Sequence, residues 1–550
     1  MKKIINNLSG KVLTLLITIL VMTSCQDYLE ITPKDRISDL SVWTSKSTAE
    51  LFLNGIYGII PDEYNTSDNE EFYTDNILST YGSSYSRATY ALAAYTPTNG
   101  PSKWSLYTYI RKCNVFITNV TVSELDETWR TLRLAEARFI RAYLYMLLWT
   151  RHGGVPVITD VLNQSTQGDE IFRARNTFED TYQFIINECA EITDNLPVKA
   201  AENGRVTKGA ALTLKAFCEL FYASPLYNKT NDLNRWKTAA ATYKQVIDLN
   251  AYTLFSNLGT LFLEANNYNS EVIFSKGKKG GTSMGGSREG LWGPLKVNNV
   301  NKAFGYANPT QNLVDQYFMA NGLSITDPGS GYDPQNPYLN REKRFYNDIL
   351  YDGASWLGYP VYFWIGSGDE MTFDFGDAGD ASNTGYAYIK GLNPTYSNTF
   401  GDNKLSSGNY IIFRYAEVLL SYAEAQNEAI GPDESVYSAV NKVRTRVSLP
   451  GLSTGLTQAQ MRDAIRHERR VELAMEEKRW VDLIRWKIAE TVLNGTVHAM
   501  RIEKVNGVKK YTVVNAPGGT KKFDATKNYL WPIPQTAMDQ NENLTQNPNY

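Results

Sequence analysis

Stretches with helical periodicity recur along most of the chain, and they constrain its fold more than any other feature. The strongest runs from Glu127 to Arg151. It places Phe139, Ala142 and Tyr145 on one face and ends at Gly153-Gly154, which is the pattern of an amphipathic helix with a glycine stop. Eight further helices are predicted over Thr48–Ile59, Trp104–Val120, Phe178–Leu196, Thr207–Ala223, Arg235–Asn250, Phe413–Ile430, Glu434–Val447 and Thr457–Ile488. The sequence therefore predicts a mainly α fold.

These helices follow one another in pairs with short connections. Two second members share a signature, Thr181-Tyr182 before Ile185-Ile186 and Thr242-Tyr243 before Val246-Ile247. Helix pairs of about 34 residues with Tyr and Ala at packing positions are typical of tetratricopeptide repeats, and each pair needs a neighbour to bury its apolar face. The period is irregular, so the pattern predicts a degenerate repeat. An ordinary helical domain is the alternative.

The stretch from 251 to 410 has a different composition. It is rich in Gly, Asn, Tyr and Pro and has few helical runs, which predicts an irregular, loop-rich subdomain of functional importance. Its aromatic residues argue against disorder. The predicted organisation is a signal peptide over 1–24, a lipidated tether over 25–40, helical regions over 41–250 and 411–550, and the loop-rich ligand-binding subdomain over 251–410.

The N-terminus has the features of a lipoprotein export signal. A basic start, Met1-Lys2-Lys3, precedes the apolar run Val12–Met22 and then Thr23-Ser24-Cys25. An apolar run of 11 residues is shorter than the roughly 20 that a membrane-spanning helix requires. We therefore expect cleavage before Cys25 and lipidation of that residue, which would anchor the body to a membrane without spanning it.

Composition excludes several classes of function. The net charge is −3, which disfavours nucleic acid as a partner. The three His residues lie far apart, so no metal-ligand spacing is visible, and no cofactor is expected. An acidic stretch, Asp369–Asp380, offers oxygen ligands for calcium but lacks the regular spacing of a helix–loop–helix site. Apart from Cys25, the cysteines lie among apolar neighbours and are predicted to be buried free thiols: Cys113, Cys189 and Cys218.

Several motifs, taken in order, resemble those of one family. The most characteristic block is Ala135-Glu-Ala-Arg-Phe-Ile-Arg-Ala-Tyr143, followed by Gly153-Gly-Val-Pro-Val157. The other matching segments are Cys25–Asp35, Trp104–Asn114, Asn336–Phe345, Arg414–Ala425, Glu468–Leu473, Arg479–Trp486, Trp531–Pro534 and Gln546–Tyr550. Together they resemble the SusD/RagB family of Bacteroidetes nutrient-binding lipoproteins over nearly the whole chain. Two departures stand out: Glu477 and Asn549 occupy positions where the family usually has Gly.

The resemblance implies a SusD-like α/α superhelix with four degenerate tetratricopeptide-type units. It implies a protein on the outer face of the outer membrane that caps a SusC-like TonB-dependent transporter. It also implies that the protein binds an oligosaccharide or polysaccharide, or in some members a peptide, and delivers it for import.

Aromatic residues mark three loops as candidates for ligand binding. Sugars present C–H faces and hydroxyl groups, which suit aromatic rings beside amides, carboxylates and Arg. The loops are Tyr81–Tyr95, Gly286–Tyr306 and Tyr351–Trp364. The candidate ligand-binding residues are Tyr81, Tyr85, Arg87, Trp292, Tyr306, Trp356 and Trp364. Local packing is the alternative for each.

Three functions remain in competition at this point. The first is a non-catalytic binding protein, whose ligand is a glycan or, as the runner-up, a peptide. The second is a glycosidase. A glycosidase would need two carboxylates facing a cleft, but no nucleophile elbow, zinc motif or P-loop appears. A structural partner of a transporter, with no ligand of its own, is the third. The charged residues Glu468, Arg469, Arg470 and Glu472 are interpreted as a solvated or interhelix ion network and not as a carboxylate site.

Overall fold

Most of the predicted helices are present in the computed structural model. It describes residues 42–62, 69–79, 86–280, 288–294, 296–297, 300–301, 303–367, 382–394 and 406–550. The predicted signal peptide, Cys25 and the tether lie outside these residues. The α-helices of the described residues are α1 Lys46–Gly58, α2 Ser86–Ala91, α3 Leu106–Val122, α4 Glu127–His152, α5 Gln164–Gln167, α6 Phe178–Ile192, α7 Lys208–Ala223, α8 Leu233–Asp248, α9 Arg288–Trp292, α10 Gln311–Val314, α11 Lys343–Asp348, α12 Tyr415–Ile430, α13 Glu434–Arg446, α14 Gln458–Glu472, α15 Arg479–Arg485, α16 Ala489–Val492 and α17 Gln535–Gln540.

Local sequence explains where the long helices begin and end. The Asp126 side chain accepts from the backbone N–H of Trp129 at the start of α4, and Thr177 forms a capping box with Asp180 at the start of α6. Such caps satisfy N–H groups that have no partner within the helix. At the end of α4, Gly153 adopts a φ of +78°, a conformation that glycine tolerates without steric cost.

The helices stack in sequence into one layered array. Helix α3 packs on α4, α4 on α6, α6 on α7, and α7 on α8. Helix α8 then packs on α12, which follows the loop-rich subdomain in the chain, and α12 packs on α13 and α14. The array is the mainly α, tetratricopeptide-like architecture that the sequence predicts, which is thereby confirmed. The contact between α8 and α12 therefore joins two helices that the loop-rich subdomain separates in the sequence.

Short antiparallel strands connect the irregular segments. In the described residues, β1 Ile77–Ser79 pairs with β5 Ala307–Pro309, β2 Val272–Lys276 with β10 Tyr410–Arg414, β3 Lys296–Val297 with β4 Val300–Asn301, β6 Ile349–Leu350 with β9 Ala387–Tyr388, β7 Ser355–Trp356 with β8 Tyr359–Pro360, and β11 Gly495–Val505 with β12 Val508–Lys521. The last pair is a long hairpin that turns at Asn506-Gly507. Both turn residues have positive φ, as a two-residue hairpin turn requires.

The prediction of one helix over Thr457–Ile488 is wrong. Helix α14 ends at Glu472, and α15 and α16 follow separately. Met475 and Glu477 have φ of +59° and +61°, so the backbone leaves the helical conformation between them. The turn brings the Glu476 carboxylate to Arg414, with 2.7 Å between Nε and Oε2. Buried ionic contacts therefore outweigh the helical propensity of this stretch.

The charged residues of α14 form a buried interhelix network. Glu468 accepts from Arg344 and Arg444, and Glu472 accepts from Arg344 and Arg414. All five side chains are buried. The interpretation of these residues as an interhelix ion network is confirmed. The arginines that pair with Glu468 and Glu472 lie on other elements, because both glutamate side chains point into the core.

The cysteines of the described residues are free and buried, as predicted: Cys113, Cys189 and Cys218. Burial raises the pKa of the Cys113 thiol to about 12, so it stays protonated at neutral pH and is a poor nucleophile.

Candidate functional site

Hydrogen bonds join the loop-rich segments to one another. Strand β1 leads into the first candidate loop and pairs with β5, which follows the second. The amide of Asn383 donates to the Ser79 carbonyl at 3.2 Å. The backbone N–H of Met500, on β11, donates to the Thr384 carbonyl at 2.9 Å. These contacts join segments that lie far apart in the sequence into one surface, the candidate face.

The third candidate loop forms a small aromatic hairpin on this face. Trp356 ends β7 and is half-buried, and Tyr359 begins β8 with 46% of its surface exposed. Leu357 and Gly358 make the turn with positive φ. The N–H of Ile365 donates to the carbonyl of Ile502 on β11 at 2.9 Å. The aromatic hairpin is therefore held against the long β11–β12 hairpin.

Lysine side chains of the long hairpin lie over rings of the third loop. The Nζ of Lys504 lies 4.9 Å from the ring centroid of Trp364, and that of Lys509 lies 5.1 Å from the ring of Tyr362. Lys509 is also ion-paired with the buried Asp352. These are cation–π geometries. The loop thus presents half-buried aromatic rings beside fixed ammonium groups.

Asp352 fixes this arrangement from below. Its Oδ1 accepts from the backbone N–H of Phe363 at 2.8 Å, and its Oδ2 accepts from the Tyr511 hydroxyl at 3.4 Å. Burial raises the pKa of the Tyr511 hydroxyl, and the nearby Asp352 raises it further. The hydroxyl is consequently neutral and acts as a donor to the carboxylate. One aspartate therefore connects the loop to strand β12 of the long hairpin.

Trp292 is a core residue, which corrects its prediction as a ligand contact. Only 1% of it is exposed. Its ring centroid lies 5.4 Å from that of Phe72 and 5.4 Å from that of Tyr388. Short segments from three parts of the chain close around the ring, so no face of it is open to a ligand. Trp292 therefore packs locally in the core, which was the alternative to ligand binding.

The other candidates differ in how the structure places them. Tyr306 is half-buried, and its ring lies 5.3 Å from that of Phe304. Arg87 is in α2, but its side chain is outside the description, and Tyr81 and Tyr85 lie outside the described residues. Trp356 and Trp364 are both half-buried residues of the third candidate loop. Their ligand contacts, with that of Tyr306, stay predictions.

The long β11–β12 hairpin is the component that sequence reasoning missed. Its residues fall within the region 411–550, which was predicted to be helical. The signal was present in Asn506-Gly507 between two runs rich in β-branched residues, which is a strong hairpin pattern. Its lysines could not be assigned to the candidate face, because the register between hairpin and loop is a tertiary feature.

Potential metal ligands do not cluster in the described part of the chain. No group of three or more His, Cys, Asp or Glu residues there is placed to hold a metal ion. The acidic stretch Asp369–Asp380, considered for calcium, falls outside that part. None of the described helices has both the length and the apolar character needed to cross a membrane.

Comparison with known families decides the identity of this fold. A family model described as "SusD family" matches residues 270–550. The chain belongs to the SusD family. A second model, described as "Starch-binding associating with outer membrane", matches residues 27–220. The predicted family resemblance is therefore confirmed over both halves of the chain.

Relatives of the SusD family match along nearly their full length. SusD-like protein P38 of Formosa agariphila is 24% identical over 523 residues, covering 89% of this chain and 93% of the relative. A SusD-like protein of Bacteroides fragilis has a crystal structure with a TM-score of 0.79 and 27% identity, covering 94% of this chain and all of the other. A second B. fragilis structure, a SusD-like carbohydrate-binding protein, has a TM-score of 0.76 and 26% identity, covering 92% of this chain and all of the other.

Proposed function

We propose that this chain is a cell-surface lipoprotein that captures an oligosaccharide or polysaccharide and delivers it to a SusC-like TonB-dependent transporter for import. The observation that carries the proposal is the third candidate loop, where Trp356, Tyr359, Tyr362 and Trp364 all keep part of their surface exposed. Aromatic faces with polar groups beside them suit the C–H faces and hydroxyls of sugars.

Two further points support a binding role without catalysis. The third candidate loop is held against the long β11–β12 hairpin, and loops held on a folded scaffold are typical binding elements. The B. fragilis relative of 26% identity is described as carbohydrate-binding, and one matching family model is described as starch-binding. Lipidation at Cys25 would place this face outside the outer membrane.

Binding of purified lipoprotein to a panel of polysaccharides tests the ligand class. Gel retardation identifies binders, calorimetry measures their affinity, and a reducing-end assay detects cleavage. We expect at least one glycan to bind without release of reducing ends. Binding confined to peptides would favour the peptide-receptor alternative, and glycan cleavage would establish a glycosidase. Failure with every glycan and peptide would leave the structural-partner alternative.

Delivery and location need separate experiments. Metabolic labelling with a radioactive fatty acid should mark the wild-type protein and not Cys25→Ser. Protease treatment of intact cells should degrade the wild type if it faces outward. Affinity purification from outer membranes should recover a TonB-dependent transporter. Recovery of the lipoprotein alone under mild detergent would contradict the proposed partner.

A further inference from the structure

The long hairpin places two lysines directly opposite each other. Lys504 on β11 and Lys509 on β12 are register partners. Side chains at such positions lie on the same face a few ångströms apart, and like charges there destabilise a hairpin. The next pair on this face is Ile502 with Tyr511, and Ile502 is fully buried. The two lysines therefore lie on the face that packs on the third loop.

The two ammonium groups are not equally compensated. Lys509 is ion-paired with Asp352, whereas no carboxylate of the described residues is ion-paired with Lys504. Lys504 is exposed and contacts the Trp364 ring. Residues 495–521 contain five Lys or Arg and a single acid, Glu503, on a chain whose net charge is −3. The hairpin is thus a local concentration of positive charge in which Lys504 has no ion-pair partner among the residues that the structure describes.

This geometry discriminates between neutral and anionic sugars. A neutral sugar that stacks on the covered faces of Trp364 and Tyr362 must displace two ammonium groups, each held by a cation–π contact of about 0.5–1 kcal/mol. An anionic group can instead bind the ammonium where it is. Tyr359, which is 46% exposed, leaves a ring free for stacking on the same loop.

We propose that the ligand is an acidic polysaccharide whose carboxylate or sulfate group binds Lys504 and Lys509 while its sugar ring stacks on the aromatic hairpin. The proposal rests on the glycan-binding function and names the substrate class. Charge-assisted hydrogen bonds from the two ammonium groups provide the attraction. The bound anion also reduces the repulsion between the opposed lysines, which Asp352 offsets only at Lys509.

A charge-matched set of glycans and variants tests the proposal on the purified lipoprotein. The glycans are polygalacturonate, a sulfated galactan, neutral amylose and a neutral xylan, and poly-L-glutamate controls for charge alone. The first two distinguish carboxylate from sulfate as the recognised group. Lys504→Gln removes the uncompensated charge, and Lys504→Arg retains it. Lys510→Gln is the matched control, since Lys510 is opposite Glu503 on the other face of the hairpin.

We expect an acidic glycan to bind more tightly than either neutral one, with an affinity that falls as salt is raised. Lys504→Gln should weaken that binding about tenfold, in line with loss of a hydrogen bond from a charged group. Lys504→Arg and Lys510→Gln should stay near wild type.

Binding of neutral glycans alone would overturn the acidic specificity and leave the glycan-binding function standing. If Lys504→Gln and Lys510→Gln lost the same affinity for the acidic glycan, the proposed site would be wrong. It would also be wrong if poly-L-glutamate bound as tightly as the acidic glycan, because charge alone would then explain the binding. Binding of no glycan at all would instead overturn the proposed function itself.

Discussion

Arg414 and Glu472 form a buried ion pair, with 2.7 Å between Nη1 and Oε1 and at most 1% of either side chain exposed. Arg414 ends β10 immediately before α12, and Glu472 ends α14. Glu472 also accepts from Arg344 and Arg446. One carboxylate therefore joins α11 of the loop-rich subdomain to β10, α13 and α14 of the C-terminal region. The same arginines also pair with other buried carboxylates, those of Glu271, Glu342, Glu468 and Glu476.

Replacing Glu472 by Gln should destabilise the fold strongly. Three arginines would share a neutral amide, and an uncompensated buried charge typically costs 3–5 kcal/mol. Urea denaturation followed by circular dichroism measures the loss. Asp248→Asn is the control, because its pair with Lys244 is on the surface, with 57% of Asp248 exposed, and such pairs contribute little. Similar stability of Glu472→Gln and wild type would contradict the central role of this carboxylate.

Glycine should suit position 477 better than alanine does. Glu477 has a φ of +61°, and its carboxylate accepts from Asn69 at 2.8 Å and from Tyr410 at 2.5 Å. Glu477→Gly and Glu477→Ala lose both hydrogen bonds, but only glycine avoids the left-handed strain, of about 1–2 kcal/mol. We expect both variants to be less stable than wild type. The free energy of unfolding of Glu477→Gly should exceed that of Glu477→Ala by about 1 kcal/mol. The opposite order in thermal denaturation would refute the backbone argument.

Glu71 should make stability depend on pH near neutrality. Burial raises the pKa of its carboxyl to about 7, against hydrogen bonds from Asn76 and Met475 that lower it. The folded state therefore holds a proton that the unfolded state releases, and the free energy of unfolding falls as pH rises from about 4.5 to 7. Both donors bind Oε1, while Oε2 has no hydrogen-bond partner among the described residues, so Gln can replace the protonated acid.

Glu71→Gln should accordingly flatten the pH profile of stability. Above pH 7 the variant should gain up to about 3 kcal/mol over wild type, and near pH 4 the two should be equal. Urea denaturation at a series of pH values gives both profiles. Parallel profiles would show that the pKa of Glu71 does not differ between the folded and unfolded states, which would contradict the prediction.

The two loop tryptophans should separate stability from binding. Trp292→Ala removes a fully buried ring and should cost about 3–5 kcal/mol. Trp356→Ala removes a half-buried ring from a surface hairpin, so it should cost less stability and abolish most glycan affinity. Thermal denaturation and calorimetric titration with the bound glycan check the two effects. Unchanged affinity in Trp356→Ala would exclude the aromatic hairpin as the ligand site.

The buried thiols should be unreactive until the protein unfolds. Cys113, Cys189 and Cys218 are each fully buried, and burial raises the pKa of all three. We expect negligible reaction of these three residues with a thiol reagent such as DTNB at pH 8, and complete reaction in guanidinium chloride. Any rapid reaction in the native protein would indicate a local opening of helix α3, α6 or α7.

Local sequence determined the helices, because their periodicity, capping residues and glycine stops act within a few residues of each other. It also determined the family, through motifs such as Ala135–Tyr143. Even the two departures from the family pattern carry local information, since Glu477 and Asn549 both have positive φ where the family usually has glycine.

Only the tertiary structure decided which residues meet. The Glu472 network interrupts a stretch that reads as one helix, because the free energy of pairing buried charges exceeds that of continuing the helix. Trp292 and Trp356 are both tryptophans of predicted loops, and their local sequences do not tell them apart. Phe72 and Tyr388 bury the first, while the second stays at the surface. Burial depends on contacts between distant segments, and a single sequence records no distances.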